Sequence, residues 1–451
     1  MKSKALLLLI SFLAACTHFS SHRKSITVHV RGVNECELSL LPVAGLKSFK
    51  AFSEMQVPDG TTATFIIPDS LLPSEFIIKY ECGETSEQHL FVSTQDIELW
   101  VDPHDIQDSK RIIFQKNEKE NTLYASFTKE NAAQKEYLLQ YVKGHTKTEF
   151  EMKRNEYNAW LASQQKLNYD CFMSKTFQFQ YLPPIDSDNE QTLFNHYFDG
   201  VNFSDPLIIR TSHLKEWMDK YVNLYGSISS TSNVRDSLFA LAGYRAIEKA
   251  KHGHPKVYGW MVDYFFIGYE TNGMASGLKM LEQYSNDSMC LTTKKQQIKK
   301  RLAGLETMKS GIIAPDFQYK NDAGKFVSFH SFKTDCKYKL ILFWSADCSH
   351  CKELVSKLYL WSQRGSNKKL VTVFALSVDN TDTEIQKWNE ATQTLSGWIH
   401  YRCEGGINSP EASSYFILST PIMILVDTKT DKIISLPEKI IDLKNILIKM
   451  S

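Results

Sequence analysis

Residues 339–351 restrict the fold more than any other stretch of the chain. The run KLILFW (339–344) is apolar without alternation, the pattern of a strand buried on both faces. It passes through SAD into Cys348-Ser349-His350-Cys351, and then into KELVSKLYLWSQRG, where Leu354, Leu358 and Trp361 share a helical face and Gly365 lies past the end. A buried strand that hands over to a helix at a C-x-x-C pair fixes a local topology and poses a chemical question. The two cysteines are a redox pair, part of a metal clamp, or two ordinary thiols.

The rest of 309–451 alternates between β and α patterns. KLVTVFALSVD (369–379) reads as a second buried strand, TDTEIQKWNEATQT (381–394) as a helix and GWIHYRC (397–403) as a further strand. PIMILVD (421–427) and KIISL (432–436) form a hairpin, DLKNILIKM (442–450) a closing helix, and GKFVSFHSF (324–332) a short strand at the start. The sum is a mixed sheet covered on both faces.

The front of the chain has other periods. Over 25–115, SITVHVRG places Ile26, Val28 and Val30 on one face; TTATFII follows an Asp59-Gly60 turn; and EFIIKYE, HLFVS and IELWVD are short strands. These predict a small antiparallel sandwich or barrel. Over 116–308 the period becomes helical: Leu123, Phe127, Tyr137, Leu138 and Tyr141 fall at helical spacings, and SNVRDSLFALAGYRAIEKAKHG and TTKKQQIKKRLAGLETM are further helices. Trp260, Tyr264 and Phe265 are expected in the core, and His252 and His254 in solvent at a helix end. The expected fold class is multidomain α+β: an N-terminal antiparallel β domain, a helical middle region and a C-terminal α/β domain.

A formal net charge of +1, with 43% hydrophobic and 23% charged residues, describes a globular protein without the field that would draw nucleic acid. The first residues are a targeting segment: MKSK is basic, ALLLLISFLA is an apolar run of signal-peptide length, and Leu13-Ala14-Ala15-Cys16 resembles the lipobox of bacterial lipoproteins. That resemblance implies a signal peptide over 1–15, lipid on Cys16, a tether over 16–24 and a lipid anchor in the cell envelope, facing the periplasm. No second span is expected, because the apolar stretch 257–269 is short and contains Asp263. Outside the cytoplasm disulfides persist. Cys36, Cys82, Cys171, Cys290, Cys336 and Cys403 are expected as small buried or half-buried residues, and their pairing cannot be read from spacing.

At a helix start, free amide hydrogens and the helix dipole stabilise a thiolate at Cys348, and Cys351 returns within reach to resolve a mixed disulfide. In a β-C-x-x-C-α context this is a strong redox signal. Residues 309–451 resemble the thioredoxin fold, and specifically the membrane-anchored TlpA and ResA kind, through GIIAPDF (311–317), FWSADCSHC (343–351), TDTEIQKWNE (381–390) and LSTPIMILVD (418–427). The resemblance implies a cis Pro421 beside the sulfurs, a Thr420 backbone that pairs with an extended substrate, and no cofactor. It also implies disulfide-containing envelope proteins as clients and a membrane thiol protein as electron donor. Three positions depart from the pattern: Asp347 replaces a tryptophan, Leu342 a buried acid and Leu354 a glutamate; Glu353 is adjacent but expected to face another way, and water or Glu353 is left to take the proton of the resolving cysteine.

Trp344, Asp347, Ser349 and His350 are the expected tuning residues. His350 resembles the oxidant DsbA, whereas Asp347 opposes a thiolate, so the expected potential lies between roughly −270 mV for thioredoxin and roughly −120 mV for DsbA. Lys352 after Cys351 excludes a c-type haem site. Cys348, His350 and Cys351 do not converge as zinc ligands on one helical turn, and no metal is expected. Two alternatives stay open: a peroxiredoxin-like peroxidase with one peroxidatic cysteine at this helix start, and a binding or scaffolding lipoprotein whose thioredoxin domain is secondary.

Overall fold

Alternation along the first strands builds two sheets. The fold is described from a computed structural model, over residues 23–43, 46, 53–58, 61–106, 112–142, 146–184, 191–229, 232–320 and 324–450. The signal peptide at 1–15, Cys16 with most of the tether at 16–24, and the Asp59-Gly60 turn lie outside the described residues. The chain divides into two compact units, one running to Leu224 with His252–Val257 added, the other made of Tyr225–Lys251 and everything from Tyr258 on. The division therefore runs through the helical region rather than at its ends.

In the first unit the strands are β1 (Lys24–Val30), β2 (Glu35–Pro42), β3 (Ser53–Pro58), β4 (Thr62–Ile67), β5 (Ser74–Cys82), β6 (Glu84–Val92), β7 (Ile97–Val101) and β8 (Ile113–Phe114). They form the sheets β4-β1-β7-β8 and β3-β2-β5-β6. Ile26, Val28, Val30, Leu38, Leu40, Phe65, Phe76, Leu90 and Leu99 fill one core between them, each contributing about 1.5–3 kcal/mol on burial. The expected sandwich is antiparallel in every pairing but one: β1 and β7 run parallel, with Ile26 opposite Ile97. Both strands alternate their apolar residues equally well, so the sequence pattern is blind to their direction. Cys36 on β2 and Cys82 on β5 are joined by a disulfide, a pairing that spacing did not disclose.

The helices are α1 (Glu120–Val142), α2 (Lys147–Leu167), α3 (Gln191–His196), α4 (Ser212–Ser227), α5 (Ser232–Lys251), α6 (Pro255–Thr271), α7 (Ala275–Met280), α8 (Glu282–Ser285) and α9 (Lys295–Thr307). Thr146 and Glu149 form a capping box that starts α2. Trp260 and Phe265 are buried as expected. Asp263 on α6 accepts the Thr293 hydroxyl at 2.6 Å and the Thr293 amide at 3.1 Å, so the charge inside the apolar stretch fastens the segment leading into α9. Among the described residues no helix is long and apolar enough to cross a membrane.

The second unit ends in β9 (Gln318–Lys320), β10 (Phe326–Ser328), β11 (Tyr338–Trp344), α10 (Ser349–Ser362), β12 (Val371–Ser377), α11 (Asp382–Gln393), β13 (Ile399–Arg402), α12 (Pro410–Ser414), β14 (Ile422–Asp427), β15 (Ile433–Ser435) and α13 (Ile440–Lys449). Five strands form one sheet in the order β13-β12-β11-β14-β15. β11, β12 and β13 are parallel, while β14 is antiparallel to β11. β11 is buried on both faces. Leu340, Leu342 and Trp344 pack with Val355 and Leu358 of α10 and Leu443 and Leu447 of α13. Ile341 and Phe343 pack on the other face with Phe317, Phe329, Phe374 and Tyr415. This is the thioredoxin-like architecture, and it carries the C-x-x-C pair at the carboxyl end of its central strand.

Candidate active site

β11 delivers the pair by ending in a turn that the sheet itself controls. Trp344 is opposite Ser377 in the parallel register, and the Val378 amide donates to the Trp344 carbonyl at 2.9 Å. Ser345–Asp347 then lead to Cys348, which has extended backbone angles and stands at the N-cap of α10. Its sulfur accepts the Cys351 amide hydrogen at 3.3 Å, so a group that free helix starts leave to water is satisfied by the thiol. The thiol also lies 3.8 Å from the Thr420 carbonyl, as donor. Thr420–Pro421 is a cis peptide, as the resemblance implied.

The two cysteines differ in exposure. Cys348 is half-buried, and Cys351 is fully buried in the cluster of Trp344, Val355 and Leu358. Burial, reinforced by the Cys348 side chain, pushes the Cys351 thiol well above its usual range, while contacts from the Thr420 side chain and the Ser345 backbone work the other way. The outer thiol is therefore the more accessible of the two, and burial favours the protonated form of the inner one.

Sequence reasoning named Cys348, Cys351, Thr420 and Pro421; the structure brings Thr420 against both cysteines, and Pro421 follows it through the cis bond. Trp344 is buried in the same cluster as Cys351, and its Nε1 has no partner among the described residues. Ser349 and His350 are exposed in the first turn of α10. Glu353 faces away, as expected: its Oε1 lies 2.6 Å from Lys357 Nζ on the next turn, on the exposed side of α10. One expectation about charge changes. Asp347 does not face Cys348 as an unbalanced charge: its carboxylate is paired with Lys387 of α11, which holds the acid below its usual range.

One residue was missed. Asp379 is fully buried just past β12 and takes donors from Ser345 Oγ at 2.6 Å, the Ala346 amide at 2.9 Å and Ser377 Oγ at 2.7 Å. The available signal was an acid directly after a buried parallel strand, at the sheet end where such strands place their sites.

One family model matches the part of the chain where this geometry lies. Residues 311–432 match the AhpC/TSA family. The matched residues contain the cysteine pair, Asp379 and the Thr420-Pro421 loop. Among solved structures, the chain is similar to the thioredoxin domain of a thiol-disulfide oxidoreductase from Bacteroides vulgatus, at 27% identity over 32% of this chain and 97% of that one, TM-score 0.27. It is similar to a thiol-disulfide oxidoreductase from Bacteroides fragilis at 26% identity, over 31% and 99%, TM-score 0.26. A thioredoxin-like protein from Bacteroides caccae is 16% identical over 60% of this chain and 98% of that one, TM-score 0.39. No curated protein matches the chain.

Proposed function

We propose that the chain is a lipid-anchored, extracytoplasmic thiol–disulfide oxidoreductase that reduces or isomerises disulfides of envelope proteins. The observation that carries the chemistry is the half-buried Cys348 at the N-cap of α10 with the fully buried Cys351 one turn behind it. The Cys348 thiolate attacks one sulfur of a client disulfide, forming a mixed disulfide and releasing the other client sulfur as a thiolate that takes up a proton. Cys351 loses its proton and attacks the Cys348 sulfur. The Cys348–Cys351 disulfide forms, the client leaves reduced, and two electrons have moved from the pair to the client. A membrane thiol protein restores the dithiol by the reverse exchange. In the isomerase mode the client's own thiol displaces Cys348 and no electron is spent.

The test is insulin reduction with dithiothreitol as the donor. The full chain is expected to accelerate it and Cys348→Ser to abolish the acceleration; an inactive wild-type protein would contradict the reading and favour a binding or scaffolding role. A peroxidase would use the same half-buried Cys348, so hydroperoxide turnover is the discriminating control. Consumption of peroxide faster than insulin reduction would assign the pair to that chemistry.

The anchor rests on Leu13-Ala14-Ala15-Cys16, and the envelope location is supported by the Cys36–Cys82 disulfide, a bond that persists in oxidising compartments. Cys16→Ser is expected to move the protein from the membrane fraction to the soluble fraction. Unchanged membrane association would contradict the lipid anchor.

A further inference from the structure

Ser345 touches both cysteines. Its carbonyl accepts the Cys348 amide at 3.3 Å, its backbone also reaches the Cys351 sulfur, and its hydroxyl accepts the Asp347 amide at 3.2 Å. What holds Ser345 is the Asp379 carboxylate, together with its neighbour Ala346. The remaining contact of that carboxylate, with Ser377 Oγ, ties it to β12, and the same hydroxyl accepts the Asp379 amide at 3.0 Å. No cation is paired with Asp379 among the described residues. A carboxylate taken out of water is costly unless its oxygens are satisfied, and here two of the three donors come from the loop that carries the cysteines.

We propose that Asp379 is a positioning residue of the redox centre, a buried latch that holds Ser345 and Ala346 so that Cys348 stays at the helix N-cap and Cys351 stays beneath it. The proposal rests on the redox reading of the pair. It gives the buried acid a place that differs from the thioredoxin position, which Leu342 fills: the charge comes from the end of the neighbouring strand and acts on the loop backbone.

The two ends of the latch can be cut separately. Asp379→Asn keeps the shape but turns an amide donor toward groups that themselves donate. Ser345→Ala removes one bond and leaves the carboxylate. The readouts on the full chain are the rate at which iodoacetamide alkylates Cys348 and the equilibrium constant of the pair with glutathione, with the melting temperature measured alongside. Each variant is expected to slow alkylation about tenfold, the equivalent of one hydrogen bond lost from the aligned geometry, and to shift the glutathione constant. Ser345→Thr, which keeps the hydroxyl, is expected to stay near wild type. If both variants lower the melting temperature but leave alkylation and the glutathione constant within about twofold of wild type, a range worth under about 0.5 kcal/mol, Asp379 is only structural and the proposal fails. Should Asp379→Asn not fold, Ser345→Ala decides alone. Neither readout needs a protein client, so a wild-type chain without reductase activity would refute the proposed function and leave this test intact.

Discussion

Lys387 of α11 forms an ion pair with Asp347, the residue directly before Cys348. The partners are forty residues apart in sequence, and their contact converts a charge that should oppose a thiolate into a neutral rim. Both side chains are about half exposed, so salt screens the pair. Lys387→Gln is expected to slow attack on a disulfide several-fold at low ionic strength and much less at high ionic strength. Stopped-flow measurement with a small aromatic disulfide checks this, and a salt-independent effect would point to lost packing instead.

His350 is the other charge-bearing neighbour. It stands in the exposed first turn of α10. Replacing it by proline removes a cationic form that favours the reduced pair. His350→Pro is expected to lower the reduction potential, with about 30 mV for each 1.4 kcal/mol of lost stabilisation. Equilibration with glutathione measures it, and an unchanged potential would make His350 a solvated surface residue.

How much of the fold and site is legible in the sequence depends on whether the information is local. The strand, the C-x-x-C and the helix from 339 to 365 are one continuous stretch, and period alone places them. Thr420 and Pro421 sit in a short motif and are reached through its resemblance to the thioredoxin-like pattern rather than through period. Asp379, Lys387 and the Cys36–Cys82 bridge are different. Each acts through a partner on another strand or helix, and the pairing of β12 with β11 that brings Asp379 to Ser345 leaves no trace in either segment. The direction of β1 against β7 is hidden for the same reason, since alternation records which face is buried and not how strands run.

A second buried acid governs stability in the other unit. Glu75 on β5 is fully buried; it pairs with His89 and accepts the Ser212 amide at 2.6 Å and the Ser212 hydroxyl at 2.9 Å. His213 Nδ1 lies 3.8 Å from the Glu75 carboxylate, beyond hydrogen-bond reach. Burial raises the Glu75 pKa, but the two histidines outweigh it and hold it at about 2. The hydrogen bond to Glu75 raises that of His89. The Glu75 contribution to stability is present above the ordinary carboxylate range and is lost as pH falls toward that low value. The His89 contribution is present below the ordinary imidazole range and is lost as pH rises through its raised value. Glu75→Gln is expected to cost about 1–3 kcal/mol between these limits and to flatten both limbs of a plot of denaturation midpoint against pH. A variant that keeps the wild-type pH profile would contradict this assignment.

The roles of the two cysteines are the centre of the account, and one trapping experiment reads them directly. Full-length Cys351→Ala and Cys348→Ala are expressed in cells, thiols are quenched with acid and alkylated, and mixed disulfides are resolved on non-reducing gels. With Cys348 half-buried at the helix start and Cys351 fully buried behind it, Cys351→Ala is expected to accumulate mixed disulfides that vanish on reduction, and Cys348→Ala to accumulate none. Equal trapping by both variants, or trapping only by Cys348→Ala, would contradict the assignment of attacking and resolving thiols.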